Sequence, residues 1–358
     1  MINCRNCSFP RKFARYFDWR SDGTIISKDR VGTIAKIVFL PSGELESIFE
    51  KLAERMGISV EHFLIEAQKN IGKALLENLP IRYAKKLPAN RFFRPQWLTK
   101  LLVRILIAKD IAGLGDGRIS LDKYIPGKVL VIRFKNPCVV PLLVGSSLGI
   151  YESIEKMEGS NVEYGIEESD LVIKMTHGEG KRETEERLYL EKVTAGSGQL
   201  EYERCPTCNA PLLAANTFSW NLKEGIITNK FTGKREVVVS VQSVNALLRE
   251  LEKELGEDVL DLIYEIQKEI QKKTLPGDIE KSKNFWKEYL LGLGVRGFGY
   301  PLSFQVENST IRIEIGNAYN HVLYAAKIAA ALEVINSCPS RLNWEVREAA
   351  RSIFTIEV

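Results

Sequence analysis

Several features that would assign a compartment to this chain of 358 residues are scarce or missing. No apolar run reaches the roughly 18 residues that a membrane-spanning helix needs, so we expect no membrane partner. The first residues lack a basic segment followed by an apolar core, which predicts that no secretory signal is present. Six cysteines are too few for a disulfide scaffold in a chain of this length. Together these absences predict a cytoplasmic protein.

A dominant charge and a recognisable catalytic set are also missing. Lysine and arginine total 50 against 46 aspartate and glutamate, and a net charge of +4 argues against nucleic acid as a partner. The chain contains no HExxH and no phosphate-binding loop with lysine. Its three histidines, His62, His177 and His321, are far apart in sequence. These absences favour a binding protein over an enzyme.

The strongest positive signal is a pair of CxxC sequences, Cys4 to Cys7 and Cys205 to Cys208. In a reducing compartment such pairs favour metal over disulfide, and each supplies half of a four-thiolate zinc site. If the two pairs meet, one structural zinc is bound by all four cysteines. Two alternatives are pairs that stay separate, reduced and metal-free, and a redox disulfide in each pair. The second alternative lacks the βαβ context that it needs.

The two CxxC pairs open two similar stretches of sequence. The spacing from Cys4 to Trp19 equals that from Cys205 to Trp220. Each pair precedes a hairpin, two amphipathic helices, a third helix, two strands, an apolar helix and a closing hairpin. We therefore predict an α+β fold of two homologous tandem modules with antiparallel sheets, related by a pseudo-two-fold axis. The modules span residues 1–175 and 200–358, with a linker or extra hairpin at 176–199.

Finer matches align the two copies within these limits. WLTKLL from Trp97 matches WKEYLL from Trp286, after which the first copy has a longer helix. The Gly-Leu-Gly sequence at 113–115 matches that at 292–294. Asn136 and Asn317 are predicted to cap the apolar helices, whose small residues suit close packing on a sheet. Residues 189–193 and 200–202 are predicted to form two extra strands.

The third helix, the hairpin that follows Gly-Leu-Gly, the asparagine before an apolar helix and the closing hairpin resemble the 4-vinyl reductase domain, also called the hydrocarbon-binding family. This resemblance occurs in the later part of each copy and covers about half of the chain in total. It implies α+β modules with an apolar ligand pocket beside the long helix, as in small-molecule sensors. Members often bind zinc through cysteines around the closing hairpin, but the strings VEYGIEESDLVIKM and LNWEVREAARSIFTI contain none.

The resemblance places the ligand between the third helix, the apolar helix and the hairpin between them. In the second copy the candidates are Trp286, Tyr319, His321 and Tyr324, which include polar groups that orient a ligand. The first copy offers Trp97 and Cys138. The alternatives are a structural role for His321 and a core role for Cys138.

We expect the chain to bind or sense a small apolar or aromatic molecule, as an internal pseudo-dimer that is a monomer or part of a larger assembly. One alternative is a zinc-ribbon interaction module that contacts nucleic acid or a protein through the basic stretch 5–20. The other is an enzyme or enzyme accessory of the 4-vinyl reductase type, which only the resemblance suggests.

Overall fold

The fold is mixed α+β with antiparallel sheets, as the sequence predicts. It is known from a computed structural model that describes residues 2–28, 34–76, 88, 92–157, 159–178, 198–275, 283–307, 310–347 and 351–357. Across these ranges, no helix has both the length and the apolar character to cross a bilayer.

The first part of the chain carries the predicted order of elements. The helices are α1 (Arg11–Tyr16), α2 (Ser42–Met56), α3 (Glu61–Leu76), α4 (Gln96–Leu102), a π-helical segment (Val103–Ile107), α5 (Ala108–Leu114) and α6 (Val140–Glu155). The strands are β1 (Phe17–Trp19), β2 (Ile25–Lys28), β3 (Ile34–Pro41), β4 (Arg118–Ile125), β5 (Val129–Lys135), β6 (Ser160–Glu167) and β7 (Asp170–His177).

The second part repeats this order with a shorter third helix. The helices are α7 (Leu212–Thr217), α8 (Val241–Leu255), α9 (Asp258–Lys272), α10 (Lys283–Val295) and α11 (His321–Asn336). The strands are β8 (Phe218–Asn221), β9 (Ile226–Asn229), β10 (Arg235–Ser240), β11 (Pro301–Glu307), β12 (Thr310–Gly316), β13 (Arg341–Arg347) and β14 (Arg351–Glu357).

A central six-stranded sheet joins the two CxxC hairpins. Its order is β1-β2-β3-β10-β9-β8, and β3 pairs antiparallel with β10, Phe39 opposite Val238. Alternate β3 residues point to opposite faces. Val38 and Leu40 join the core beneath the helices, whereas Ile37 and Phe39 join an aromatic core beside the cysteines. Both faces of β3 are therefore buried.

The helices that follow the central sheet cross between the two parts of the chain. Helix α2 buries Leu45, Ile48 and Leu52 and ends at Gly57, whose φ of 66° suits a residue without a side chain. It packs against α9 of the second part, and α8 packs against α3 of the first. In each part of the chain, therefore, the apolar face of one helix is buried by a helix of the other part.

Two outer sheets share one strand order, β4-β5-β7-β6 and β11-β12-β14-β13. Helix α6 lies against α3, and α11 lies against α9. The glycines of α6 face the α3 backbone, where a Cβ at Gly149 would overlap the carbonyl of Lys69. The small residues therefore allow close packing of helix on helix, and not of helix on sheet as the sequence suggested.

Two further local predictions differ from the structure. Asn136 and Asn317 adopt positive φ angles of 53° and 62° before the helices and do not cap them. The cap of α11 is Asn320, whose side chain accepts a hydrogen bond from Leu323 N at 3.0 Å. Residues 200–202 are not in a strand, although Leu200 N donates to Ser21 O. The predicted strand at 189–193 and most of the 176–199 linker lie outside the described residues.

Candidate metal centre and ligand site

The two CxxC turns have the same backbone hydrogen bonds. Cys4 N donates to Phe9 O, and Cys205 N donates to Ala210 O, each at 2.8 Å. Both turns continue into a short bridge and a short helix, α1 or α7. The local sequence therefore folds each cysteine pair into one tight turn, and the central sheet brings the two turns together.

The four cysteine sulfurs lie within 4.8 Å of one another, as the shared-site hypothesis predicts. The Sγ atoms of Cys4 and Cys205 are 3.9 Å apart, and those of Cys7 and Cys208 are 3.4 Å apart. A tetrahedral site with zinc–sulfur bonds of about 2.3 Å has sulfurs about 3.8 Å apart. The cluster therefore fits a four-thiolate metal ion, and all six cysteines, including these four, are free of disulfides.

Each turn holds one thiol that ionises easily. The backbone N–H of Cys7 lowers the pKa of Cys4 to about 6, and the backbone N–H of Cys208 lowers the pKa of Cys205. Burial raises the pKa of Cys7 to about 12 and raises that of Cys208. A bound cation displaces the remaining protons, because metals bind the thiolate form.

The cysteine cluster packs against a group of aromatic rings. Phe9 lies 5.7 Å from Trp19 and 4.7 Å from Trp220, measured between ring centroids. Phe39 stacks on Phe218 at 4.4 Å. Trp19 is only 2% exposed, so its ring is closed to base stacking.

The two tryptophans make matching hydrogen bonds across the molecule. Trp19 Nε1 donates to Val295 O at 3.0 Å, and Trp220 Nε1 donates to Gly113 O at 3.2 Å. Gly113 therefore makes the same contact as Val295. The sequence alignment paired Gly113 with Gly292, so the contacts shift that alignment by three residues. The corresponding turn glycines are Gly115 and Gly297, with φ angles of 89° and 88°.

The segments before the apolar helices make a second matching set. Gly117 N donates to Gly225 O at 3.0 Å, and Gly299 N donates to Gly23 O at 3.1 Å. Asn136 also donates to Glu224, and Asn317 donates to Asp22. In every case the first part of the chain bonds to the second.

Two of the predicted ligand residues meet in the core of the second part. Tyr319 and Tyr324 are fully buried, and neither hydroxyl has a hydrogen-bond partner among the described residues. Burial raises the pKa of both phenols, and Tyr289 beside them raises both further. Both hydroxyls therefore stay protonated and able to donate.

A buried ion pair that the sequence patterns did not indicate lies beside the tyrosines. Lys327 Nζ donates to Glu44 Oε1 at 2.6 Å, with the side chains 3% and 6% exposed. The same ammonium lies 5.3 Å from the centre of the Phe298 ring, which stacks on Tyr319 at 4.4 Å. The available signal was a single lysine in an otherwise apolar helix, Val322 to Leu332. Burial lowers the pKa of Lys327, and Glu44 opposes that change.

The remaining predicted ligand residues lie at different depths. Trp286 is half-buried and packs against Phe304 and Tyr289, and Tyr289 donates to Lys327 O at 3.0 Å. His321 Nδ1 shares a hydrogen bond with the Ser352 hydroxyl, so a side chain satisfies it.

The two first-copy candidates, Cys138 and Trp97, differ greatly in solvent exposure. Cys138 is 2% exposed, and burial raises its pKa, as expected for a core thiol. Trp97 is 68% exposed. The structure thus brings together the second-copy tyrosines. Trp286 contacts Tyr289, which lies near both tyrosines, whereas Trp97 is at the surface.

Comparison with family models, with curated proteins and with solved structures finds no match to this chain.

Proposed function

We propose that the chain is an internally duplicated protein that binds a small molecule in its second module and is clamped by zinc. The observation that carries the proposal is the pair of buried hydroxyls on Tyr319 and Tyr324, which have no hydrogen-bond partner in the part of the chain that the structure describes. A buried hydroxyl left without a hydrogen bond costs about 1–3 kcal/mol. A ligand that carries one polar group between the two tyrosines removes this penalty.

The surrounding side chains restrict the chemistry of such a ligand. Phe298 stacks on Tyr319, and Phe354 lies 6.2 Å from Tyr324. These rings provide apolar walls, which favour an aromatic ring or a hydrocarbon. The nearby Lys327 charge is already balanced by Glu44. A neutral apolar ligand with a carbonyl or hydroxyl group fits best, in agreement with the resemblance to the hydrocarbon-binding family.

Zinc is the metal that we propose for the four cysteines. Four thiolates complete a tetrahedral shell and leave no position for water, so the ion is structural. Because each module contributes one cysteine pair, the ion ties the two modules together. Its chemistry is limited to holding the turns, and no reaction step runs through it.

The duplication itself rests on contacts that occur in both directions. The Trp19 and Trp220 hydrogen bonds, the Gly117 and Gly299 hydrogen bonds, and the shared order of the outer sheets all support it. The corresponding axis passes between β3 and β10. We assign the modules to residues 1–175 and 200–358.

A thermal-shift screen of phenols, aromatic ketones and short hydrocarbons tests the ligand proposal. A ligand at a hundred times its Kd stabilises the folded state by about 2.7 kcal/mol, so the melting temperature rises. Tyr319→Phe and Tyr324→Phe should leave the ligand-free protein at least as stable as the wild type, because each removes a buried hydroxyl that has no hydrogen-bond partner among the described residues. Each should weaken a polar ligand about tenfold by removing one hydrogen bond.

Tyr151→Phe is the matched control. Tyr151 lies on α6 of the first module, is 1% exposed, and also has a hydroxyl without a partner among the described residues. This variant should bind like the wild type. The proposal fails if no compound raises the melting temperature, or if all three tyrosine variants respond to the ligand equally.

A further inference from the structure

The third helix of the first module turns an apolar face towards solvent. On α4 and the π-helical segment, Trp97 is 68% exposed, Leu101 42%, Leu102 39% and Ile105 52%. Trp97, Leu101 and Ile105 are each four residues apart, so they form one stripe along the helix. The half-buried residues Thr99 and Val103 lie on the other side.

Other helices of the molecule bury their apolar faces. In α10, Leu290 and Leu293 are 4% and 5% exposed, and Trp286 packs on Phe304 of β11. Helices α2, α8 and α9 direct their leucine, isoleucine and valine residues into the core. Among the described helices, the exposed stripe is therefore specific to the first module, and α10, the third helix of the second module, does not share it.

Positive charge borders the stripe. Lys100 and Arg104 lie one turn apart beside it, and Lys109 follows in α5; all three are exposed. None of these three forms an ion pair with any part of the chain that the structure describes. Asp110, on the same helix, is already paired with Lys12. The border therefore attracts an anionic surface.

We propose that this surface, defined by Trp97, Lys100, Leu101, Leu102, Arg104 and Ile105, lies on an anionic lipid bilayer. Interfacial helices of this type insert an apolar face that includes tryptophan among the acyl chains, while lysine and arginine contact phosphates. A single convex helix suits a flat, deformable surface. Contact with a second copy of this chain would bring two cationic borders close together. Lying on a bilayer differs from crossing it, and this assignment does not depend on the tyrosine site.

Sedimentation of the full chain with lipid vesicles tests the assignment. The protein should sediment with phosphatidylcholine vesicles that contain phosphatidylglycerol, and much less with phosphatidylcholine alone. Added salt should weaken the binding, because it screens the charges. The pair Lys100→Gln and Arg104→Gln should reduce partitioning about fivefold for each cation removed. The pair Leu101→Gln and Ile105→Gln should reduce it at least as strongly.

Phe231→Ser is the matched control, because Phe231 is 75% exposed at the turn between β9 and β10, away from the stripe. It should bind vesicles like the wild type. Unchanged melting temperatures show that the helix variants remain folded, as expected for exposed positions. The assignment is overturned if the wild type ignores anionic vesicles, or if Phe231→Ser loses binding as the helix variants do. Self-association that the helix variants abolish, without any vesicle binding, would assign the surface to a second copy instead.

Discussion

Helices α6 and α11 hold the same place in the order of elements of the two parts of the chain, but they bury different side chains. Ser146 and Lys327 each stand ten residues after an asparagine, Asn136 or Asn317. Ser146 Oγ accepts a 2.7 Å hydrogen bond from Gln68 of its own module, whereas Lys327 reaches Glu44 of the other. By the same count Cys138 replaces Tyr319, and Leu143 replaces Tyr324. The two tyrosines and the lysine of α11 and its preceding turn thus have no counterpart of the same type at these positions of the first part.

The ends of the same helices are alike. Glu152 and Glu333 each stand sixteen residues after the asparagine, and both are nearly fully buried. Glu152 accepts a hydrogen bond from Ser160 N, and Glu333 accepts one from Ser340 N. Each also pairs with a lysine of the neighbouring helix, α3 or α9. The ends of α6 and α11 therefore share one set of contacts, while the beginnings of the two helices differ.

Loss of a cysteine from either module should have the largest effect, because the metal needs both. Cys4→Ser and Cys205→Ser should each remove the ion and destabilise the whole chain by an amount on the order of several kcal/mol, since structural zinc binding is part of the folding free energy. Elemental analysis with thermal unfolding is the measurement. The wild type should contain one zinc per chain.

The exposed Cys338 gives the control, and Cys338→Ser should change neither property. A melting temperature that stays constant after Cys205→Ser would contradict the clamp. Two metal ions per chain would contradict the shared site.

Breaking the buried ion pair should sharpen the contrast between α11 and α6. Lys327→Met leaves the Glu44 carboxylate buried without its counter-ion and should destabilise the protein by about 3–5 kcal/mol. Ser146→Ala, at the corresponding place in α6, should cost only about 1 kcal/mol. Urea unfolding of both variants measures the difference. Replacing both partners, Glu44→Leu with Lys327→Met, should regain most of the loss, and equal effects of the two single changes would remove the contrast.

The tryptophan hydrogen bonds offer a smaller test, in which the modules should behave alike. Trp19→Phe and Trp220→Phe each remove one bond to a backbone carbonyl of the other module, worth about 1 kcal/mol. Trp19 should show the larger loss, since it is fully buried and Trp220 is half-buried. Chemical unfolding of the two variants is the measurement. A loss confined to one tryptophan would show that the contacts are not equivalent.

The order of the elements and the meeting of the cysteines could be predicted from the sequence, because periodicity and spacing are local signals. The packing of α2 on α9, and of α8 on α3, was not predictable in this way. The stripe of Leu45, Ile48 and Leu52 shows which face of α2 is buried but not that α9 covers it. The Lys327–Glu44 pair joins residues 283 positions apart, so no pattern marks it. For Trp97, an apolar stripe in an amphipathic helix normally predicts an inward face, and here it faces solvent.

The crossing of the two modules has a consequence for the order of synthesis. The indole of Trp19 bonds to a carbonyl that lies 276 residues further along the chain, and β3 pairs with β10. At translation rates of about 5–20 residues per second, that partner is made roughly 14 to 55 seconds after the tryptophan. Val238 of β10 follows its β3 partner Phe39 by 199 residues, or roughly 10 to 40 seconds at these rates. Until then the β3 edge that β10 covers has no neighbouring strand, which favours wrong pairings. Completion of the fold is therefore an event of the C-terminal half, although the cysteine cluster begins at Cys4.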